Sequence, residues 1–189
     1  MTRSTARRLL VAAPELSDPN FARTVVFMVE HSPDGALGVV LNRPTATDVD
    51  TVLPAWSPFT CAPDRVFVGG PVATDDAVIG LARAAAGADL AASSEGWQRL
   101  LGPIGTVDLG ADPVALSPPV DAVRVFAGYA GWGPGQLDAE LLQGGWHVVD
   151  AAPDDLLAEV PELLWRDVLR RQGGDLAMAA NHPADPSVN

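Results

Sequence analysis

Apolar residues in this chain fall mostly into short runs bounded by polar clusters that carry Pro, Asp or Gly. Leu9–Ala13 predicts a first strand. Phe21–Glu30, FARTVVFMVE, is β-branched and aromatic and predicts a second. Ser32-Pro33-Asp34-Gly35 is a turn signal, and Leu37–Leu41 after it predicts a third strand, so the two runs read as a β-hairpin. Asn42-Arg43-Pro44 ends that hairpin. Thr47–Leu53 predicts a helix capped by Thr47 or Asp48 and stopped by Pro54, with Val49, Val52 and Leu53 on one face.

Arg65–Gly69 predicts a strand stopped by Gly69-Gly70-Pro71. Ala77–Ala84 gives mixed signals. Val78, Ile79 and Leu81 favour a strand paired with Arg65–Gly69, against the helical leaning of the alanines after them. Ile104–Leu109 predicts a strand and Asp112–Leu116 a short helical turn. Arg124–Ala127 predicts a strand that runs into Gly128, Gly131, Gly133 and Gly135, and Gln136–Gln143 predicts a helix. Trp146–Val149 predicts the last strand. Asp154–Ala158 and Pro161–Gln172 predict helices. The second has Pro161 at its start, Arg170 and Arg171 in its last turn and Gly173 as its stop, with Leu164, Trp165 and Val168 as its buried stripe. Ala84–Glu95, rich in Ala, Gly and Ser, predicts a mobile loop. Hairpins mixed irregularly with helices predict an α+β fold with a mixed sheet, against a doubly wound parallel one.

The chain has 189 residues, which fits one domain over 1–189, and 48% hydrophobic against 19% charged residues makes it globular. No apolar run approaches the roughly 20 residues of a membrane span. Arginines before Leu9–Ala13 resemble a signal peptide, but that run is too short and Pro14-Glu15 interrupts it. The arm before it is predicted to be a frayed basic tail. Cys61 is the only cysteine, so no internal disulfide is available, and the expected location is cytoplasmic. Net charge is −12, and every basic residue is arginine. A phosphate-loop lysine, a Schiff-base lysine and a lysine general base are therefore excluded. Nucleic acid is disfavoured as a partner, because the acidic balance repels phosphate backbones.

His31, His147 and His182 lack metal-ligand spacing, and neither a metal nor a cofactor is expected. No nucleophile signature is present, and no catalytic residue is assigned. Glu30-His31 closes a strand before a turn, where a general base or two solvated polar residues can sit. Four glycines in the eight residues Gly128–Gly135 predict positive φ or close approach of another group, with Gly131 singled out. Gly131, Trp132 and Gln136 are the candidate binding residues of this corner. Asn42 and Arg43 follow a buried-type strand, and Gly69 and Gly70 follow another, so these four join the candidates. Arg43 with free backbone N–H groups can hold a carboxylate or phosphate. It can also be a structural clamp on an acid such as Asp18 or Asp138, or on a backbone carbonyl. The clamp is favoured, because Asp138 and Glu140 follow the glycine corner where an anion site would avoid negative charge.

Several segments together resemble the AlgH/YqgE family. They are Leu9–Pro14, Asp18–Val25, Glu30-His31, Gly35–Pro44, Gly69–Val72, Gly128–Trp132 with Gly135-Gln136-Leu137, and Leu164-Trp165-Arg166. The likeness runs in order over nearly the whole chain, except for about Ala84–Gly102. It implies a mixed, largely antiparallel sheet curled into a partial barrel with flanking helices, in a bacterial cytoplasmic protein. It supplies no enzyme activity and no catalytic residues. The family's label as a putative transcriptional regulator carries over only as analogy, because no helix-turn-helix is recognisable here. Three functions follow as expectations. The first is a non-enzymatic regulatory protein binding a protein or small molecule, which an exposed apolar patch would favour. The second is a small-anion binder or enzyme using Arg43 and Gly128–Gly135, which a pocket joining Arg43, Glu30 and His31 would favour. The third is a DNA-binding regulator, which needs a clustered arginine face.

Overall fold

The computed structural model describes residues 4–90 and 93–182. Twelve strands form two sheets among these residues. The first sheet is antiparallel throughout, in the order β11 (Ala130–Trp132), β3 (Gly35–Val40), β2 (Val25–Ser32), β1 (Arg8–Ala12) and β12 (Trp146–Asp150). Its central strands are apolar at successive positions because both faces are buried. Leu9, Val11, Val25, Phe27, Val39 and Leu41 enter one cluster. Leu10, Ala12, Val26, Met28 and Val40 enter another on the opposite side, as the period of two requires.

The second sheet runs β4 (Pro44–Asp48), β5 (Arg65–Val68), β10 (Val120–Ala127), β6 (Val78–Ala84), β9 (Ile104–Val107), β8 (Trp97–Leu101) and β7 (Ser93–Ser94). Among the described strands only β5 and β10 pair in parallel, beside an isolated parallel bridge between Thr60 and Val123. Phe67, Leu81, Ile104 and Phe126 of this sheet share the first cluster with the first sheet and with Leu164, Trp165, Val168 and Leu169 of α4 (Pro161–Gln172). The other helices are short: α1 (Val49–Val52), α2 (Gln136–Leu142), α3 (Pro153–Leu156) and α5 (Gly174–Ala179). Trp165 Nε1–H donates to the Ala12 carbonyl at 2.9 Å and so ties α4 to β1. No helix among the described residues is long and apolar enough to cross a membrane.

The mixed, largely antiparallel α+β architecture agrees with expectation, but the strands divide into two sheets that do not close into a barrel. Local readings needed more correction. β6 is a strand, yet it pairs with β10 and β9 rather than with β5, because β10 inserts between them. The helix expected over Thr47–Leu53 is shortened to the single turn α1, because Thr47 and Asp48 end edge strand β4. Asp48 precedes that turn without a side-chain capping bond, and Val52 is exposed. Phe21–Thr24 is a turn rather than the start of a strand. The basic arm is anchored where it is described, since Thr5 is 2% exposed and Arg7 N–H donates to the Met28 carbonyl at 2.8 Å. Its residues 1–3 lie outside the described residues, as do residues 91–92 of the expected loop Ala84–Glu95, whose Ser93 and Ser94 pair with β8.

The pair Gly69-Gly70 joins the sheets. Gly69 N–H donates to the Ala127 carbonyl at 2.8 Å, and the Gly69 carbonyl accepts from Val40 at 2.7 Å. A Cβ on Gly69 would sit 2.3 Å from the Gly128 carbonyl oxygen, and one on Gly70 (φ +154°) 2.1 Å from the Tyr129 carbonyl carbon. Only glycine permits two backbones to approach this closely.

Candidate functional site

The structure separates the candidate residues into three places. At the carboxyl end of β2, Glu30 is exposed and lines a shallow hollow of about 260 Å³ with Trp132 and the hairpin turn. His31 turns the other way. Thr5 N–H donates to its Nδ1 at 3.2 Å, and Thr5 Oγ1 lies 3.0 Å from the same nitrogen. An acceptor Nδ1 puts the ring proton on Nε2, which faces Asp138 Oδ1 at 3.8 Å. Nδ1 is thus engaged in holding the amino-terminal arm, while 3.8 Å leaves Nε2 beyond hydrogen-bond reach of Asp138.

At the glycine corner, Gly131 is not in the positive-φ region. It is the middle residue of β11, paired with Leu37. Positive φ falls instead at Gly128 (72°) and Gly135 (71°). Gln136 Oε1 takes the Gly133 N–H at 3.1 Å, and its Nε2 donates to Glu140 Oε1 at 3.1 Å. Glu140 Oε2 accepts the indole N–H groups of Trp132 (3.0 Å) and Trp146 (2.9 Å). Phe21 packs against both indoles, with ring centroids 6.1 and 5.5 Å away. The donors a ligand would use at this corner are engaged by the protein's own Gln136 and Glu140. Glu140 as their centre was not foreseen, and its spacing of four from Gln136 on one helix face is the signal that points to it.

Asn42 and Arg43 act on the turn before β2. Asn42 Nδ2 donates to the Arg23 carbonyl and Oδ1 accepts from Val25 N–H, each at 2.9 Å. Arg43 Nη2 donates to the Ala22 carbonyl at 2.5 Å. Neither acid proposed as a clamp partner, Asp18 or Asp138, ion-pairs with Arg43; its partner in the fold is a backbone carbonyl. The strapped turn holds Arg23 at φ 56°, and places its guanidinium 4.5 Å from the centre of the Trp165 ring. Arg43 lines a cleft of about 450 Å³ with Gly70, Asn20 and Thr74, and Gly69 is not among the lining residues. Arg43, Glu30 and His31 line no common cavity among the described residues.

Two features escaped sequence reasoning. Arg124 is 2% exposed. Its Nη1 and Nη2 donate to the carbonyls of Ala158 (2.7 Å) and Ala62 (2.5 Å), and its Cζ lies 4.6 Å from the Phe67 ring centre. Burial lowers its pKa, and it raises that of the neighbouring Cys61 thiol. The second feature is an apolar hollow of about 500 Å³ on the second sheet, walled by Val66, Val78, Val125, Val52, Leu53 and Leu109, with Thr45 and Thr47 at one side. Val52 and Val78 are 51% and 55% exposed. The hollow's walls come from residues 45 to 127, so no local pattern announces it.

Fold and cavities together define an α+β protein whose two sheets share one core and whose second sheet presents an apolar hollow. A family model described as AlgH-like matches residues 9–177. The chain belongs to that AlgH-like family. It is 54% identical over 186 residues to a UPF0301 protein of Streptomyces coelicolor, covering 98% of this chain and 96% of the relative. A UPF0301 protein of Rhodococcus opacus is 46% identical over 182 residues, covering 96% and 89%. Among solved structures, a crystal structure of a protein from Corynebacterium diphtheriae superposes with a TM-score of 0.87 at 36% identity, covering 96% of this chain and 94% of that one. The solution structure of the AlgH protein from Pseudomonas aeruginosa gives 0.68 at 30% identity, covering 98% and 100%.

Proposed function

We propose that this chain is a non-enzymatic cytoplasmic binding protein, acting as one domain, that takes a compact apolar group into the hollow on its second sheet. The group is an apolar side chain of a protein partner or an apolar small molecule, and a regulatory role follows from that binding. The observation that carries the reading is the hollow itself. Its volume of about 500 Å³ lies in the range of ligand cavities, and its walls are mostly aliphatic. Leaving Val52 and Val78 more than half exposed at its mouth is unfavourable unless something covers them. His31 Nδ1, the ring's acceptor nitrogen, is taken by Thr5, which supports a reading without catalysis.

Titration with Nile red, an uncharged apolar dye, tests the reading. We expect saturable fluorescence enhancement, weakened at least about tenfold by Val78→Asp, which puts a charge in the mouth at an already exposed position. Absence of saturable binding, or binding that Val78→Asp leaves unchanged, overturns it. A parallel titration with duplex DNA at moderate salt is expected to show no binding, given net charge −12. Sub-micromolar, salt-sensitive DNA binding would replace this reading with the DNA-binding one.

A further inference from the structure

A separate feature lies at the other end of β5 from the turn that precedes it. The cleft between β3, β5 and the segment after β5 is walled by Arg43, Asn20, Gly70, Thr74 and prolines that include Pro19 and Pro71. In a chain with twenty-four acidic residues, none of its lining residues is Asp or Glu. Four other arginines pair with carboxylates: Arg8 with Asp150, Arg65 with Asp48, Arg83 with Asp121 and Arg171 with Asp155. Arg43 makes no ion pair among the described residues. Its one hydrogen bond there uses Nη2, on the Ala22 carbonyl, so Nε and Nη1 keep their donors.

Gly70, another lining residue, supplies a second donor. Gly70 is buried, and among the described residues its N–H has no acceptor. A buried N–H without a partner is uncommon and calls for a ligand or water. Gly70 is also fixed in place, because the Tyr129 backbone closes against it where any Cβ would stand and Gly69 is bonded to Ala127 and Val40. Arg43 is held as firmly, since its carbonyl accepts from Val68 N–H at 2.8 Å and its guanidinium is tethered to Ala22. Donors fixed before a ligand arrives lose little entropy on binding. Proline walls add rigidity and offer no competing N–H.

We propose that this cleft binds a small organic anion through a phosphate or carboxylate group seated between the Arg43 guanidinium and the Gly70 N–H, with Asn20 and Thr74 at its edge. A guanidinium with a backbone N–H is a pairing suited to either group. The cleft's volume of about 450 Å³ exceeds what the anionic group alone would fill, so the remainder takes the molecule that carries it. This site stands apart from the apolar hollow and does not depend on it.

The test is amide chemical-shift titration of the full chain at fixed ionic strength, with inorganic phosphate in one arm and malonate in the other. We expect saturable shifts at Gly70 and Thr74 in at least one arm, and the tighter arm assigns the anionic group. Arg43→Gln should weaken that binding at least about tenfold. Because this change also removes the tether to Ala22, Thr74→Asp serves as the second variant. It leaves Arg43 in place, sets a negative charge at an exposed edge of the cleft, and should abolish the shifts while the spectrum stays folded. No saturable shift at Gly70 in either arm overturns the proposal. So does binding that survives both substitutions.

Discussion

Gly70→Ala tests the junction between the sheets most directly. The added Cβ would lie 2.1 Å from the Tyr129 carbonyl carbon, 2.2 Å from its oxygen and 2.3 Å from Ala130 N, where ordinary contact needs at least 3.4 Å. All three are backbone atoms, so no rotamer change relieves the clash, and the two segments must separate by more than about 1 Å. Three hydrogen bonds join these two segments. Gly69 donates to Ala127 (2.8 Å), Val72 to Tyr129 (3.0 Å) and Tyr129 to Val72 (3.1 Å). A separation of that size stretches them beyond useful length, at about 1 kcal/mol each. Alanine at φ +154° adds strain of about 1 kcal/mol or more, offset by the roughly 0.4–1 kcal/mol that Gly→Ala gains by restricting the unfolded chain. The expected loss is about 3 kcal/mol, read from urea unfolding followed by tryptophan fluorescence. Gly131→Ala is the control. Gly131 sits in a strand, its Cβ would meet Tyr129 Cε2 at 3.3 Å, and that ring can turn aside, so the change should stay within about 1 kcal/mol. A Gly70→Ala midpoint within about 1 kcal/mol of the parent, or equal losses for the two variants, would refute the reasoning.

Two further outcomes follow from buried polar groups. Glu140→Ala should cost about 2–3 kcal/mol in the same melts, because it leaves the buried Trp132 and Trp146 indoles without their shared acceptor; Glu140→Gln, which keeps an acceptor oxygen, should cost less. Burial raises the Cys61 thiol above its ordinary value of 9.0, chiefly by desolvation and against the opposing Arg124 charge. The folded chain therefore holds that proton more tightly than the unfolded chain does. Its contribution to stability is fully present below the ordinary value and is lost as pH rises through the folded one. Melts from pH 7 to 10 should show an alkaline decline that Cys61→Ala reduces, and an identical decline in that variant would refute the assignment.

Much of the fold was legible because it is written locally. The hairpin of β2 and β3 follows from two apolar runs around Pro33-Asp34-Gly35, and its partners are only a few residues apart. Helix α4 carries Pro161 at its start and Gly173 at its end, and its stripe of Leu164, Trp165 and Val168 is buried as the helical period requires. The motifs that resemble the AlgH/YqgE family were equally plain, and the family model confirms that membership. Pairing between distant segments was not legible. β10 lies beside β5 in parallel, about 60 residues away in sequence, and displaces β6 from the partner that simple adjacency assigned to it. A strand's apolar pattern reports that a face is buried and not which neighbour buries it.

The candidate residues divide in the same way. Composition fixed the acidic, lysine-free chemistry of the chain. The four glycines of Gly128–Gly135 marked a tight corner, but the sequence gives no means of telling which one carries positive φ. That choice falls on Gly128 and Gly135 because β11 claims Gly131 for pairing with Leu37. The roles of Asn42 and Arg43 depend on the turn at Ala22 and Arg23, some twenty residues earlier, and that of Gly70 on Tyr129, nearly sixty residues later. The apolar hollow has no sequence signature, because Val52, Val78 and Val125 are ordinary strand and helix residues until three separate segments converge. Propensity and turn chemistry act over a few residues and were readable. Close approach, hydrogen-bond exchange and cavity formation act between segments distant along the chain, and only their packing together decided them.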